Sequence, residues 1–162
     1  MDIEKRCCFT GHRDINSDFK PKMLEECIEA LYNSGVDTFI SGGAIGFDML
    51  AGFAVLELKK KHPDIKLWLF LPCLDQDAMW NGVQRKMRQT LIESADYVHC
   101  PEVKYNKTVM KERNYRMVDA CSCCVSYFNG KFVSGTAQTI RYALRSGKEV
   151  INLGTFDLAD FK

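Results

Sequence analysis

Ser41-Gly42-Gly43-Ala44-Ile45-Gly46-Phe47-Asp48 lies between Val36–Ile40, which reads as a short buried strand, and a helical pattern that runs on from Phe47. Three glycines fall in the connection. Glycine reaches positive φ and lets a ligand approach bare backbone. The helix that follows offers free N–H groups and the positive end of its dipole. Strand, Gly-rich turn and helix N-terminus together make a site for a phosphate or another anion. They nominate Ser41, Gly42, Gly43, Ala44, Gly46 and Asp48 as ligand-binding residues. The stretch is not a Walker loop, because no Gly-Lys-Ser/Thr follows. It approaches G-x-G-x-x-G, with Ser41, Gly43 and Gly46 in the three glycine places. A tight turn that needs glycine only for packing is the competing reading.

Outward from this turn the chain alternates between two periodicities. Lys5–Phe9, Val36–Ile40, Ile65–Leu71, Ala95–His99, Cys123–Phe128 and Glu149–Leu153 read as strands. Ile65–Leu71 is apolar almost throughout, as in a parallel strand covered on both faces. Between them, Leu24, Cys27, Ile28 and Leu31 fall at helical spacing after Pro21 and stop at Ser34-Gly35. Phe47, Leu50, Ala51, Ala54 and Leu58 do the same, as do Trp80, Val83, Met87 and Leu91. Tyr105–Asp119 is a fourth helix and the segment opened by Ser134-Gly135-Thr136 a fifth. Asn129-Gly130 reads as a type I′ turn, with Lys131–Val133 as the return of a short β-hairpin. Six strands alternating with five helices predict one α/β domain over residues 1–162, a doubly wound parallel sheet in a Rossmann-like three-layer αβα arrangement.

Ligands of such sheets bind beyond the C-terminal strand ends. Four segments share that edge: residues 10–13, 41–48, 72–76 and 134–136. Thr10-Gly11-His12-Arg13 sets bare backbone beside two cations, an anion contact or a solvated loop. Gln76 and Trp80 follow the third strand; Trp80 stacks on a base or fills the core. Ser134, Gly135 and Thr136 repeat the logic of the first turn, with a hydroxyl beside the glycine. Arg113, three residues after Met110 and four before Met117, shares their inward face. A guanidinium there needs a partner, either a carboxylate or a bound phosphate, which Arg matches in bidentate geometry. Asn114 lies beside it.

Composition narrows the classes. The chain of 162 residues is 46% hydrophobic and 27% charged, with a formal net charge of +1. There is no global basic field for nucleic acid. Lys59-Lys60-Lys61-His62 reads as a solvated last helical turn rather than a nucleic-acid patch. No apolar run has the length of a membrane span, and the start does not read as a signal peptide, so a cytoplasmic protein without membrane attachment is expected. Eight cysteines in that setting are expected to be reduced thiols. Cys121-Ser122-Cys123-Cys124 holds one C-x-x-C with no second pair, so no metal site is expected.

These residues resemble the SLOG superfamily, the Rossmann-like fold of Lonely Guy phosphoribohydrolases and DNA-processing protein A, and within it the YpsA-like branch. The resemblance runs from about Arg6 to Leu153. Thr10–Arg13 and the Pro72-x-x-x-Gln76-x-x-x-Trp80 pattern are YpsA-like. Ser41–Asp48 is similar to the nucleotide-site loop of DNA-processing protein A. Met110–Arg113 followed by Met117 is similar to the Lonely Guy helix, in which the arginine is catalytic, so the resemblance implies a catalytic Arg113. Gly135-Thr136 matches part of Pro-Gly-Gly-x-Gly-Thr-x-x-Glu, but Thr139 stands where that motif has its catalytic Glu. Cleaving an N-glycosidic bond uses a carboxylate, and threonine cannot supply one; Asp48 or Asp75 would have to do so from another loop.

Three functions follow. The first is binding or sensing of a nucleotide or nucleotide-derived phosphate ligand such as AMP, ADP-ribose or NAD. The second is hydrolysis of a nucleoside 5′-monophosphate. The third is association with DNA, which the near-neutral charge and the lack of an aromatic-basic stripe oppose. A homo-oligomer is implied by the resemblance to dimeric Lonely Guy proteins.

Overall fold

Cys7, Cys8 and Phe9 are each at most 1% exposed, yet they do not share a core. Cys7 and Phe9 pack with Leu24, Ile28, Phe39 and Leu67, while Cys8 packs with Ile40, Met117, Val118 and Cys124. This is the two-residue alternation of a strand buried on both faces. It places the first strand at the centre of the sheet.

The computed structural model describes residues 2–161. Its strands are β1 (Arg6–Gly11), β2 (Thr38–Ser41), β3 (Lys66–Phe70), β4 (Tyr97–His99), β5 (Cys123–Tyr127) and β6 (Glu149–Asn152). The helices between them are α1 (Pro21–Asn33), α2 (Phe47–Lys61), α3 (Gly82–Ser94), α4 (Val109–Asp119) and α5 (Gly135–Arg145). All pairings are parallel, in the order β4-β3-β2-β1-β5-β6. Helices α1, α2 and α3 cover one face, and α4 and α5 the other. The chain winds outward from β1 through β2 to β4, then returns to β5 beside β1. The crevice outside the ends of β1 and β5 is therefore the topological switch point, where such sheets take ligands.

The sequence reading needs three corrections. No hairpin forms at Asn129-Gly130. Strand β5 already has parallel partners on both sides, with Cys7 opposite Cys123 and Cys123 opposite Glu149, so it has no free edge for a return strand. Instead Phe128, Phe132, Phe156 and Phe161 pack ring against ring, and Asn152 bonds both the N–H and the C=O of Phe128. Trp80 precedes α3 rather than opening it. Asn81 caps that helix, its side chain accepting from Gln84 N at 2.8 Å while the Gln84 side chain accepts from Asn81 N. Val83 is 71% exposed, and Arg88 takes the inward place. Helix α4 starts at Val109 rather than Tyr105, because the Asn106 carboxamide accepts from Thr108 N and Val109 N and turns the chain there.

Candidate functional site

A cavity of about 740 Å³ opens at the switch point, within the range of small-molecule sites. It is lined by the β1–α1 connection, the start of α2, the loop after β3, the inner face of α4 and the start of α5. Of the residues nominated above, Gly11, His12, Arg13, Ala44, Asp48, Gln76, Trp80, Arg113, Asn114, Ser134, Gly135 and Thr136 line it together.

Ser41, Gly42, Gly43 and Gly46 do not line it, for physical reasons that differ. The Ser41 hydroxyl donates to Asp48 O at 2.8 Å and accepts from Gly43 N at 3.2 Å, closing the turn on itself. Gly46 has φ +92°, and a side chain there would run into the backbone of Arg13. That contact, with Phe47 N donating to His12 O at 3.1 Å, locks the β2–α2 turn onto the β1–α1 turn. Gly42 lies against the Arg113 guanidinium. The glycines here serve close packing of protein on protein, and only Ala44 and Ile45 of this turn reach the cavity along with Asp48. The expected cradle at the start of α2 is thus filled in part by the protein's own groups.

Arg113 is 3% exposed. Its Nη1 donates to Gly42 O and, at 3.1 Å, to Phe70 O, and its Nε donates to Asn114 Oδ1 at 2.8 Å. These bonds tie α4 to the ends of β2 and β3. Asp48 attracts the guanidinium electrostatically. Nη2 has no hydrogen-bond partner among the described residues. The inward arginine is therefore held by carbonyls and one amide, with one amino group left over.

Asp48 is 7% exposed. Burial pushes its carboxyl up from 3.8 to about 6, against the opposing pull of Arg113 and the Ala44 N–H. That N–H reaches Oδ2 at 3.4 Å; Oδ1 has no partner among the described residues. A carboxylate poised near neutral pH in a cavity wall is suited to proton transfer or to gripping a donor. Asp75 is elsewhere, accepting from Tyr105 N at 2.9 Å, and does not line the cavity.

Helix α5 starts from Ser134, whose side chain accepts from Ala137 N at 3.1 Å. Gly135 and Thr136 face the cavity at this helix start. Thr136 is 6% exposed, and its hydroxyl has no partner among the described residues. Thr139 does not reach the cavity lining: it is buried and donates to Gly135 O at 2.8 Å, one turn back along α5.

The rim is built less rigidly. The Gln76 amide reaches Gly42 O at 3.4 Å and is held by Arg88 Nε at 3.1 Å. His12 Nε2 faces Asn129 N at 3.4 Å, and burial holds its pKa below the ordinary value. Trp80 and Tyr105 lie on the same rim with Lys131. Tyr105, Lys131 and Asn16 were not nominated from sequence; each sits in an irregular segment where no periodicity points inward. Thr10 belongs to the Thr10–Arg13 stretch, but its unpartnered hydroxyl at the cavity wall is visible only in the fold.

The sequence profile of the YspA SLOG family (YpsA) matches residues 7–156. The chain belongs to that family. Among individual proteins, it is 36% identical over 88 residues to the UPF0398 protein BH1768 of Halalkalibacterium halodurans, covering 54% of this chain and 46% of that one. It is 30% identical over 139 residues to the SPbeta prophage-derived protein YoqJ of Bacillus subtilis, covering 78% and 81%. The chain thus spans about half the length of the first of these relatives. Among solved structures, DNA processing protein A of Streptococcus pneumoniae superposes with a TM-score of 0.67 at 19% identity, over 92% of this chain and 50% of that one. DNA processing protein A of Helicobacter pylori, described for its single-stranded DNA binding mode, gives 0.68 at 18%, over 93% and 66%. These establish the SLOG assignment and the Rossmann-like fold. No helix among the described residues is long and apolar enough to cross a membrane.

Proposed function

We propose that this protein binds a nucleotide or nucleotide-derived phosphate ligand, of the AMP, ADP-ribose or NAD type, in the switch-point cavity. One observation carries the reading. Four polar atoms, each on a residue more than nine-tenths buried, open onto this one cavity without a hydrogen-bond partner among the described residues: Thr10 Oγ1, Asp48 Oδ1, Arg113 Nη2 and Thr136 Oγ1. None of the four atoms is sealed from solvent, so each is free to exchange water for a polar group of a ligand. That all four share one cavity with the N-terminus of α5 is best accounted for by a polar ligand that completes them. That N-terminus favours an anion, Arg113 adds a cationic donor, and Trp80 and Tyr105 on the rim offer faces for a base.

Calorimetry with AMP, ADP-ribose and NAD tests this. Heat with one of them, reduced in Thr136→Val without loss of stability, supports the reading; no heat with any overturns it. Hydrolysis of a nucleoside monophosphate is the second reading, favoured by Asp48 standing in the cavity while Thr139 does not. Release of adenine from AMP at high protein concentration would establish it. The single-stranded DNA binding named for the H. pylori neighbour brings a third; a mobility shift with an oligonucleotide at moderate salt separates it from the first two.

A further inference from the structure

Asp48 makes a demand on the ligand that the other open groups do not. It is the one carboxylate among the four, it is 7% exposed, and one of its oxygens is held by the Ala44 N–H while the other is bare. Threonine hydroxyls accept or donate, so Thr10 and Thr136 tolerate many partners. An ionised carboxylate only accepts, and it repels a phosphate. The anionic part of the ligand therefore belongs at the other wall, where Gly135 and Thr136 open α5. Helix α5 and Asp48 of α2 lie on opposite faces of the sheet, with Thr10 and Gly11 of β1 between them. The ligand must then carry a phosphate at one end and an O–H or N–H donor on the part that faces Asp48. A ribose phosphate has that pattern.

We propose that Asp48 accepts a hydrogen bond from the ribose 2′-hydroxyl, so that the cavity selects ribonucleotides over 2′-deoxyribonucleotides. This rests on the nucleotide-binding reading above and names its substrate class. Loss of a hydrogen bond to a charged group corresponds to about 10- to 100-fold in affinity. The probes are AMP and ribose 5-phosphate against 2′-deoxy-AMP and 2-deoxyribose 5-phosphate, by calorimetry at pH 7.5, with IMP as a fifth arm. AMP should bind at least about 10-fold more tightly than 2′-deoxy-AMP, and Asp48→Asn, confirmed folded by circular dichroism, should bring the two within about threefold, because a neutral amide oxygen is the weaker acceptor. Equal affinity for AMP and 2′-deoxy-AMP overturns the proposal, as does a preference that survives in Asp48→Asn. A drop with IMP but not with 2′-deoxy-AMP overturns it too, since Asp48 would then read the base amine. Heat with ADP-ribose or NAD but with none of the five probes sinks this proposal and leaves nucleotide binding standing, whereas no heat at all removes both.

Discussion

Asp48→Asn is expected to stabilise the ligand-free protein, by an amount that grows with pH. Burial raises this carboxyl from 3.8 to about 6. A folded-state value above the unfolded one means that the native protein holds the proton more tightly. Stability from this group is therefore fully present below about pH 3.8 and is lost as pH rises to about 6. At about 1.36 kcal/mol per pH unit, the complete loss is about 3 kcal/mol. Asparagine carries no charge to desolvate, keeps an oxygen for the Ala44 N–H, and escapes that loss. Its advantage should be about 1 kcal/mol at pH 4.5 and up to about 3 kcal/mol at pH 7.5. Equilibrium urea unfolding at both pH values measures it, with the slope m unchanged between variant and parent. Comparing the variant with the parent at each pH cancels the titration of every other carboxylate. An advantage that is flat between pH 4.5 and 7.5, or a variant less stable than the parent at pH 7.5, would refute the reasoning.

Arg113→Met should destabilise by about 2–5 kcal/mol in urea unfolding, since Gly42 O and Phe70 O lose their donor inside the protein; a change under about 0.5 kcal/mol would show that neither bond matters. The same variant should push the Asp48 carboxyl further up, because Arg113 now opposes that rise; NMR titration of the carboxyl carbon reads it. Gly46→Ala should cost about 2–5 kcal/mol, combining a backbone angle that side chains avoid with overlap on the Arg13 backbone, and thermal unfolding measures the loss. Thr139→Glu, which restores the family-like carboxylate, should release no adenine from AMP and should lower stability, because position 139 is buried one turn beyond Gly135 and does not line the cavity; adenine release would show that the helix start rearranges.

What could be read from sequence was what depends on neighbours along the chain. The apolar runs at β1, β2, β3 and β5, the stripe of α1 and the glycine-marked ends Gly35 and Gly147, both at positive φ, follow from local periodicity and backbone freedom. What failed depended on neighbours across the fold. Lys131–Val133 had a good hairpin turn but no free strand edge to pair with. Val83 had helical spacing to Met87 yet lies exposed, because Arg88 turns inward to Gln76 and Cys73 O. The Gly-rich turn raised a phosphate cradle and a packing turn as alternatives. The backbone of Arg13, distant in sequence, decides for packing at Gly46. The inward Arg113 was legible from spacing, but its two carbonyl partners lie 71 and 43 residues away.

The two glycine turns therefore divide the labour that sequence alone assigned to both. At the start of α2, Gly42 and Gly46 let the Arg113 head group and the Arg13 backbone come into contact, and the result is a wall fixed before any ligand arrives. At the start of α5, Gly135 lines the cavity and nothing lies within 4 Å of where its side chain would point. A site with one wall bonded to itself and the other left open does not need to fold around its ligand. It lowers the ordering cost of binding by holding Asp48 desolvated in the free protein. The stability forfeited at Asp48 and the affinity expected for a hydroxyl-bearing ligand are then two readings of one unpaired oxygen.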